Sequence, residues 1–136
     1  FGETAAQASR EIDEELGIAV EPTELVAVMR HRQEHVHSTG LVDREIHDVH
    51  VLPCALPLED YRPGPEVIGL CAVPIDALLE LTQGTRESIA TTLVTFDDAG
   101  IPQHEPLLLD REQLVPYDAG YLEKIGYSGR ASIARR

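Results

Sequence analysis

Between Thr4 and Gly17 the chain carries a helix whose two ends are both written in the sequence. Thr4 followed by Gln7 forms a capping box, in which each side chain satisfies the other residue's backbone N–H. Ala5, Ala8, Ile12 and Leu16 recur at helical period and mark an apolar stripe, with Glu15 replacing Leu16 under strict spacing. Gly17 stands where a left-handed residue stops a helix. The spacing predicts a helix over 4–16. On that helix Glu11, Glu14 and Glu15 fall at i, i+3 and i+4 and share one face. Like charges at these spacings repel, so the helix gains no stability from them. A hard divalent cation reverses the sign, because Mg²⁺ takes oxygen ligands. Arg10, four residues before Glu14, pairs with it or orients it. The alternative is a solvated acidic face with no ligand.

Arg10-Glu11-Ile12-Asp13-Glu14-Glu15-Leu16-Gly17-Ile18 resembles the second half of the Nudix box at every defined position. Gly2-Glu3 is similar to the Gly-Glu pair that opens the box, although the spacing from Glu3 to Arg10 is one residue short. The first glycine of the box and the strand that carries it fall before residue 1. The expectation is therefore that an N-terminal segment is missing from a single Nudix domain spanning 1–136. The resemblance implies an α+β fold, an α/β/α sandwich with a mixed sheet between helices. It also implies that Glu14 and Glu15 hold Mg²⁺ or Mn²⁺. Glu11 then binds metal or accepts the proton of the attacking water, and Arg10 positions a glutamate.

Downstream, residues 24–32 read as a strand and 33–40 as a polar loop. Residues 41–55 hold a long strand with Ile46, Val49 and Val51 as core members and Pro53 near its end. Residues 56–65 contain three prolines and form a connection, and 66–73 form an apolar strand. Residues 74–83 form a helix that starts at a proline, gathers Ile75, Leu78 and Leu79 on one side and stops at Gly84. Residues 88–96 and 103–109 form a hairpin through Asp97-Asp98-Ala99-Gly100. A short helix over 117–125 and a flexible tail over 128–136 complete the reading.

A second candidate site lies at Asp43-Arg44-Glu45-Ile46-His47-Asp48-Val49-His50. In an extended chain Asp43, Glu45 and His47 share one face. Two readings compete there: an exposed strand protected by its charges, and a supplementary metal or substrate contact. The stretch resembles a metal-binding segment of isopentenyl-diphosphate isomerase, a Nudix-fold enzyme. By that resemblance Asp43 and Glu45 join the metal shell, and Glu66 is a further candidate. Residues 1–125 are similar to isomerase-like bacterial Nudix proteins, with Val115-Pro116-Tyr117-Asp118 as a late cue. His31, His35, His37, His47 and His50 cluster within twenty residues. They are read as ordinary residues of a polar loop and strand face, with His35 and His37 as the alternative pair for a borderline metal. Cys54 and Cys71 fit no zinc spacing and are read as buried packing thiols.

Charge narrows the function. A net charge of -13 opposes binding to nucleic acid, which rests on Lys and Arg neutralising phosphates. It leaves a small diphosphate open, since metal ions can supply positive charge. No apolar run reaches the length of a membrane span, and the reading is a cytoplasmic enzyme. The resemblance implies hydrolysis of a diphosphate linked to a nucleoside, an isoprenoid or a thiamine-like group, and a homodimer in many members. Two alternatives stand beside it. One is an isomerase of isopentenyl diphosphate, which requires a cysteine upstream of the box. The other is a Nudix-fold binding module without turnover.

Overall fold

The structure is a computed structural model that describes residues 4–114. Its first element is helix α1, Ala5–Leu16. The Thr4 side chain accepts from the Gln7 N–H at 3.2 Å, and the Gln7 side chain accepts from the Thr4 N–H at 2.8 Å. That reciprocal box is worth about 1 kcal/mol of helix stability. Gly17 closes the helix in the left-handed region, at φ 67°, and donates its N–H to the Asp13 carbonyl. Ala5, Ala8, Ile12 and Leu16 are half-buried, as their spacing predicts, and Glu15 is exposed. Ser9 is the buried residue of α1, and its hydroxyl donates to the Val20 carbonyl. This bond folds the following segment back along the helix.

Strands β1, Val26–Val36, and β2, Val42–Val51, form an antiparallel hairpin with a bulge between Ala27 and Met29. β1 runs four residues beyond its predicted end, and the polar loop shrinks to 37–41. Opposite charges explain the extension. Glu34 faces Arg44, and Arg30 faces Asp48, as direct cross-strand partners. Such pairs stabilise a hairpin by about 0.2–1 kcal/mol each relative to alanines. Ile46, Val49 and Val51 are half-buried.

Helix α2, Ile75–Gln83, follows Pro74 and stops at Gly84. Strands β3, Ser88–Phe96, and β4, Pro102–Asp110, pair in unbroken antiparallel register. Asp97 builds the connecting turn by accepting from the Ala99 and Ile101 N–H groups, both at 2.9 Å. Ala77, Leu81 and Ile89 form the buried core, with Val73, Leu109 and Leu114 packed around them. The buried members of α2 are Ala77, Leu79 and Leu81; of the predicted Ile75, Leu78 and Leu79, Leu79 is buried and the other two are half-buried. Ala77 and Leu81 are buried because they pack with Ile89 of β3.

Residues 66–73 do not form the predicted strand. They meet β3 at one bridge only, Leu70 with Val94. Pro65 and Pro74 bracket the run and lack the N–H groups a longer ladder needs. Helices and antiparallel strands thus make an α+β fold. Among the described residues the strands form two separate two-stranded sheets, not one mixed sheet. The predicted helix over 117–125, the tail over 128–136 and the Val115–Asp118 cue lie outside the described residues, as do Gly2 and Glu3.

Candidate functional site

Glu11, Glu14 and Glu15 are exposed along α1, with Asp13 beside them. None of the helix's acidic residues lies in its first turn, and no basic residue lies in its last. Asp13, Glu14 and Glu15 therefore crowd the negative end of the helix dipole, where cations are favoured and carboxylates are not. Arg10 Nε lies 3.9 Å from Glu14 Oε1, and both side chains are about two-thirds exposed. An exposed i,i+4 pair of this kind is worth only about 0.3–0.5 kcal/mol. It offsets a fraction of the repulsion among the glutamates.

The C-terminal end of α1 is docked rather than frayed. The Arg62 N–H donates to the Leu16 carbonyl at 3.0 Å, and the Gly64 N–H donates to the Glu15 carbonyl at 2.9 Å. With the Gly17 bond, three of the last four carbonyls of α1 are satisfied by backbone donors. The approach is close enough to exclude side chains. A Cβ on Gly64 would sit 2.6 Å from the Glu14 carbonyl oxygen, and one on Gly17 would sit 2.2 Å from that of Arg62. Segment 62–64 thus fixes the helix turn that carries Glu14 and Glu15. By sequence alone this segment reads as a plain connection. The signal was Pro63-Gly64-Pro65, where a glycine between prolines marks a backbone approach.

The second candidate stretch is placed on β2, away from α1 in sequence and locally self-paired. Asp43 Oδ2 accepts from His37 Nε2 at 2.6 Å, and Glu45 Oε2 accepts from His47 Nε2 at 3.0 Å. Arg30 binds Asp48 through two hydrogen bonds, of 2.6 and 3.2 Å. The guanidinium holds the Asp48 carboxyl below the usual carboxylate range, chiefly through that hydrogen bond. His35 and His37 meet edge to face, with centroids 4.8 Å apart. His31 is buried. Glu66 is exposed in a turn. Among the described residues no three His, Cys, Asp or Glu side chains converge in a group able to hold a metal ion.

Cys54 is exposed and Cys71 half-buried, both as free thiols, so neither is a buried packing residue. Tyr61 donates to Cys54 Sγ at 3.7 Å, and burial pushes the Tyr61 hydroxyl above its ordinary range. Two clefts of about 440 Å³ open on the surface. One lies between Thr4-Ala5 and the bulged part of the β1–β2 hairpin, floored by Arg30 and Asp48. The other lies between segment 62–68 and the β3–β4 turn. Neither is lined by Glu11, Glu14 or Glu15. No described helix is long and apolar enough to cross a membrane.

No family model matches the chain, and no solved structure matches it. It is 26% identical over 121 residues to an uncharacterized Nudix hydrolase of Clostridium acetobutylicum. The match covers 88% of this chain and 58% of the relative, so the chain spans little more than half of that protein's length. The similarity supports the Nudix superfamily.

Proposed function

We propose that the protein is a metal-dependent diphosphate hydrolase of the Nudix type. One observation carries the reading. Asp13, Glu14 and Glu15 occupy the dipole-unfavourable end of a well-capped helix, with Glu11 one turn before them and no basic residue in the last turn. Charge repulsion and the dipole both oppose this placement, and a bound cation offsets both. The donor type suits a hard ion, since Mg²⁺ and Mn²⁺ favour carboxylate oxygen, while among the described residues the carboxylates are not gathered into a closed ligand group. The Clostridium relative's name and the Arg10–Ile18 motif point the same way.

In this account Glu14 and Glu15 hold the ion, Arg10 orients Glu14, and Glu11 either joins them or accepts a proton. Bound there, a divalent ion neutralises charge on the phosphate oxygens. Water oxygen bonds to phosphorus, the bridging P–O bond breaks, and the leaving phosphate carries off the electron pair. Where Glu11 is the base rather than a ligand, it takes the proton that water loses. Asp43, Glu45 and the sandwich arrangement of the whole protein belong to the same proposal. In the structure Asp43 and Glu45 are engaged by His37 and His47, so their joining the ion requires those pairs to open.

The test is phosphate release from a panel of diphosphates with Mg²⁺. The expected result is release by the wild type and a loss of at least roughly a hundredfold in Glu14→Gln. Full activity in that variant contradicts the proposal. Metal-dependent binding with no product over long incubation favours the binding-module alternative.

A further inference from the structure

The cleft between segment 62–68 and the β3–β4 turn is lined by none of the α1 glutamates. Its volume is about 440 Å³, within the range of small-molecule pockets. Three features describe what it would take. First, Pro63, Val67, Ile68 and Phe96 give it an apolar wall. Ile68 is 88% exposed, so an isoleucine is held open to water at the cleft. Covering such a side chain stabilises a complex by about 25 cal/mol per Å² of apolar area removed from water. Second, the charges are sorted. Arg62 lines it from the segment docked on α1, and Asp97 and Asp98 line it from the β3–β4 turn. The Arg62 Nη1 donates to the Tyr61 and Glu59 carbonyls, at 2.8 and 3.3 Å. Third, the wall is joined to the glutamate helix. The Arg62 and Gly64 N–H groups bind the last carbonyls of α1, those of Leu16 and Glu15.

We infer that this cleft receives the organic group of the substrate, that the group is apolar, and that Arg62 faces its phosphate end. The inference rests on the diphosphate-hydrolase reading for the word substrate, but the cleft's ligand chemistry stands on its own residues. A strongly acidic organic group is disfavoured by Asp98. A flat or branched hydrocarbon finds Phe96 and Ile68. The phosphate end finds Arg62, whose backbone N–H is bound to the last carbonyl of α1.

Equilibrium binding to the intact protein, in chelator, decides the cleft without relying on turnover. The probes are phenyl phosphate and inorganic phosphate, each titrated calorimetrically into wild type and Ile68→Asp. The wild type is expected to bind phenyl phosphate roughly tenfold tighter than inorganic phosphate. Ile68→Asp, at an exposed site that leaves the fold intact, is expected to erase that preference. Equal binding of the two probes, or an undiminished preference in the variant, overturns the inference. A kinetic arm separates this from the reading it rests on. If phenyl diphosphate is hydrolysed and its KM rises more in Ile68→Asp than that of inorganic diphosphate, both stand. If no diphosphate is hydrolysed but the binding preference is found and lost as stated, the hydrolase reading fails and the cleft assignment survives.

Discussion

The Gly64 N–H donates to the Glu15 carbonyl at 2.9 Å, which ties a proline-flanked segment to the helix turn bearing two of the three glutamates. The contact is backbone to backbone, and a Cβ at Gly64 would lie 2.6 Å from the Glu14 carbonyl oxygen. Gly64→Ala must therefore push the segment off the helix. The expected cost is about 1–3 kcal/mol, as for other overpacked sites, seen as a lower urea midpoint. An unchanged midpoint would show that the segment is not held there in solution.

Neutralising the acidic turn is expected to stabilise the metal-free protein. Glu15→Gln removes one like-charge neighbour and one carboxylate from the negative end of the dipole. Each effect is of order 0.3–1 kcal/mol at low salt. Urea unfolding in chelator should give a gain of roughly 0.5 kcal/mol, and the gain should shrink at high ionic strength. A loss of stability would mean that Glu15 makes a supporting contact.

How much of this was legible in the sequence depends on the range of the interaction. Helix α1, its Thr4–Gln7 box and its Gly17 stop are local, and they stand where the residues place them. The β3–β4 hairpin is local too, set by the Asp97 turn. Residues 33–36 show no apolar alternation, so by sequence alone β1 ends at Arg32. Its support comes from Glu34 facing Arg44, which only a register reveals. The apolar run 66–73 looked like a strand, but no neighbouring strand pairs with it beyond Leu70. The docking of 62–64 on α1 joins residues nearly fifty positions apart, and composition cannot name such a partner.

Acid should weaken the β1–β2 hairpin through Asp48. Its carboxyl titrates below the usual range because Arg30 hydrogen-bonds its charged form. A depressed folded pKa contributes stability that is present above the unfolded value, about 3.9, and is lost as pH falls through the folded value. Urea midpoints compared between pH 5 and pH 3 should fall more in wild type than in Asp48→Asn. Parallel falls would remove Asp48 from the acid response.

The core around α2 predicts the largest single loss. Leu81 is fully buried against Ala77 and Ile89. Leu81→Ala should cost about 2–5 kcal/mol, read from equilibrium unfolding. A cost below about 1 kcal/mol, the size of an ordinary surface effect, would mean that α2 does not pack on β3 as described.

Thermal unfolding with increasing Mg²⁺ tests the central claim, that the α1 glutamates form a cation site. Wild type is expected to rise in Tm with Mg²⁺ in a saturable way, as linkage to a native-state ligand requires. The Glu11→Gln, Glu14→Gln, Glu15→Gln triple variant should begin at a higher Tm in chelator and fail to respond. A wild type indifferent to Mg²⁺, or a triple variant that responds equally, would contradict the account.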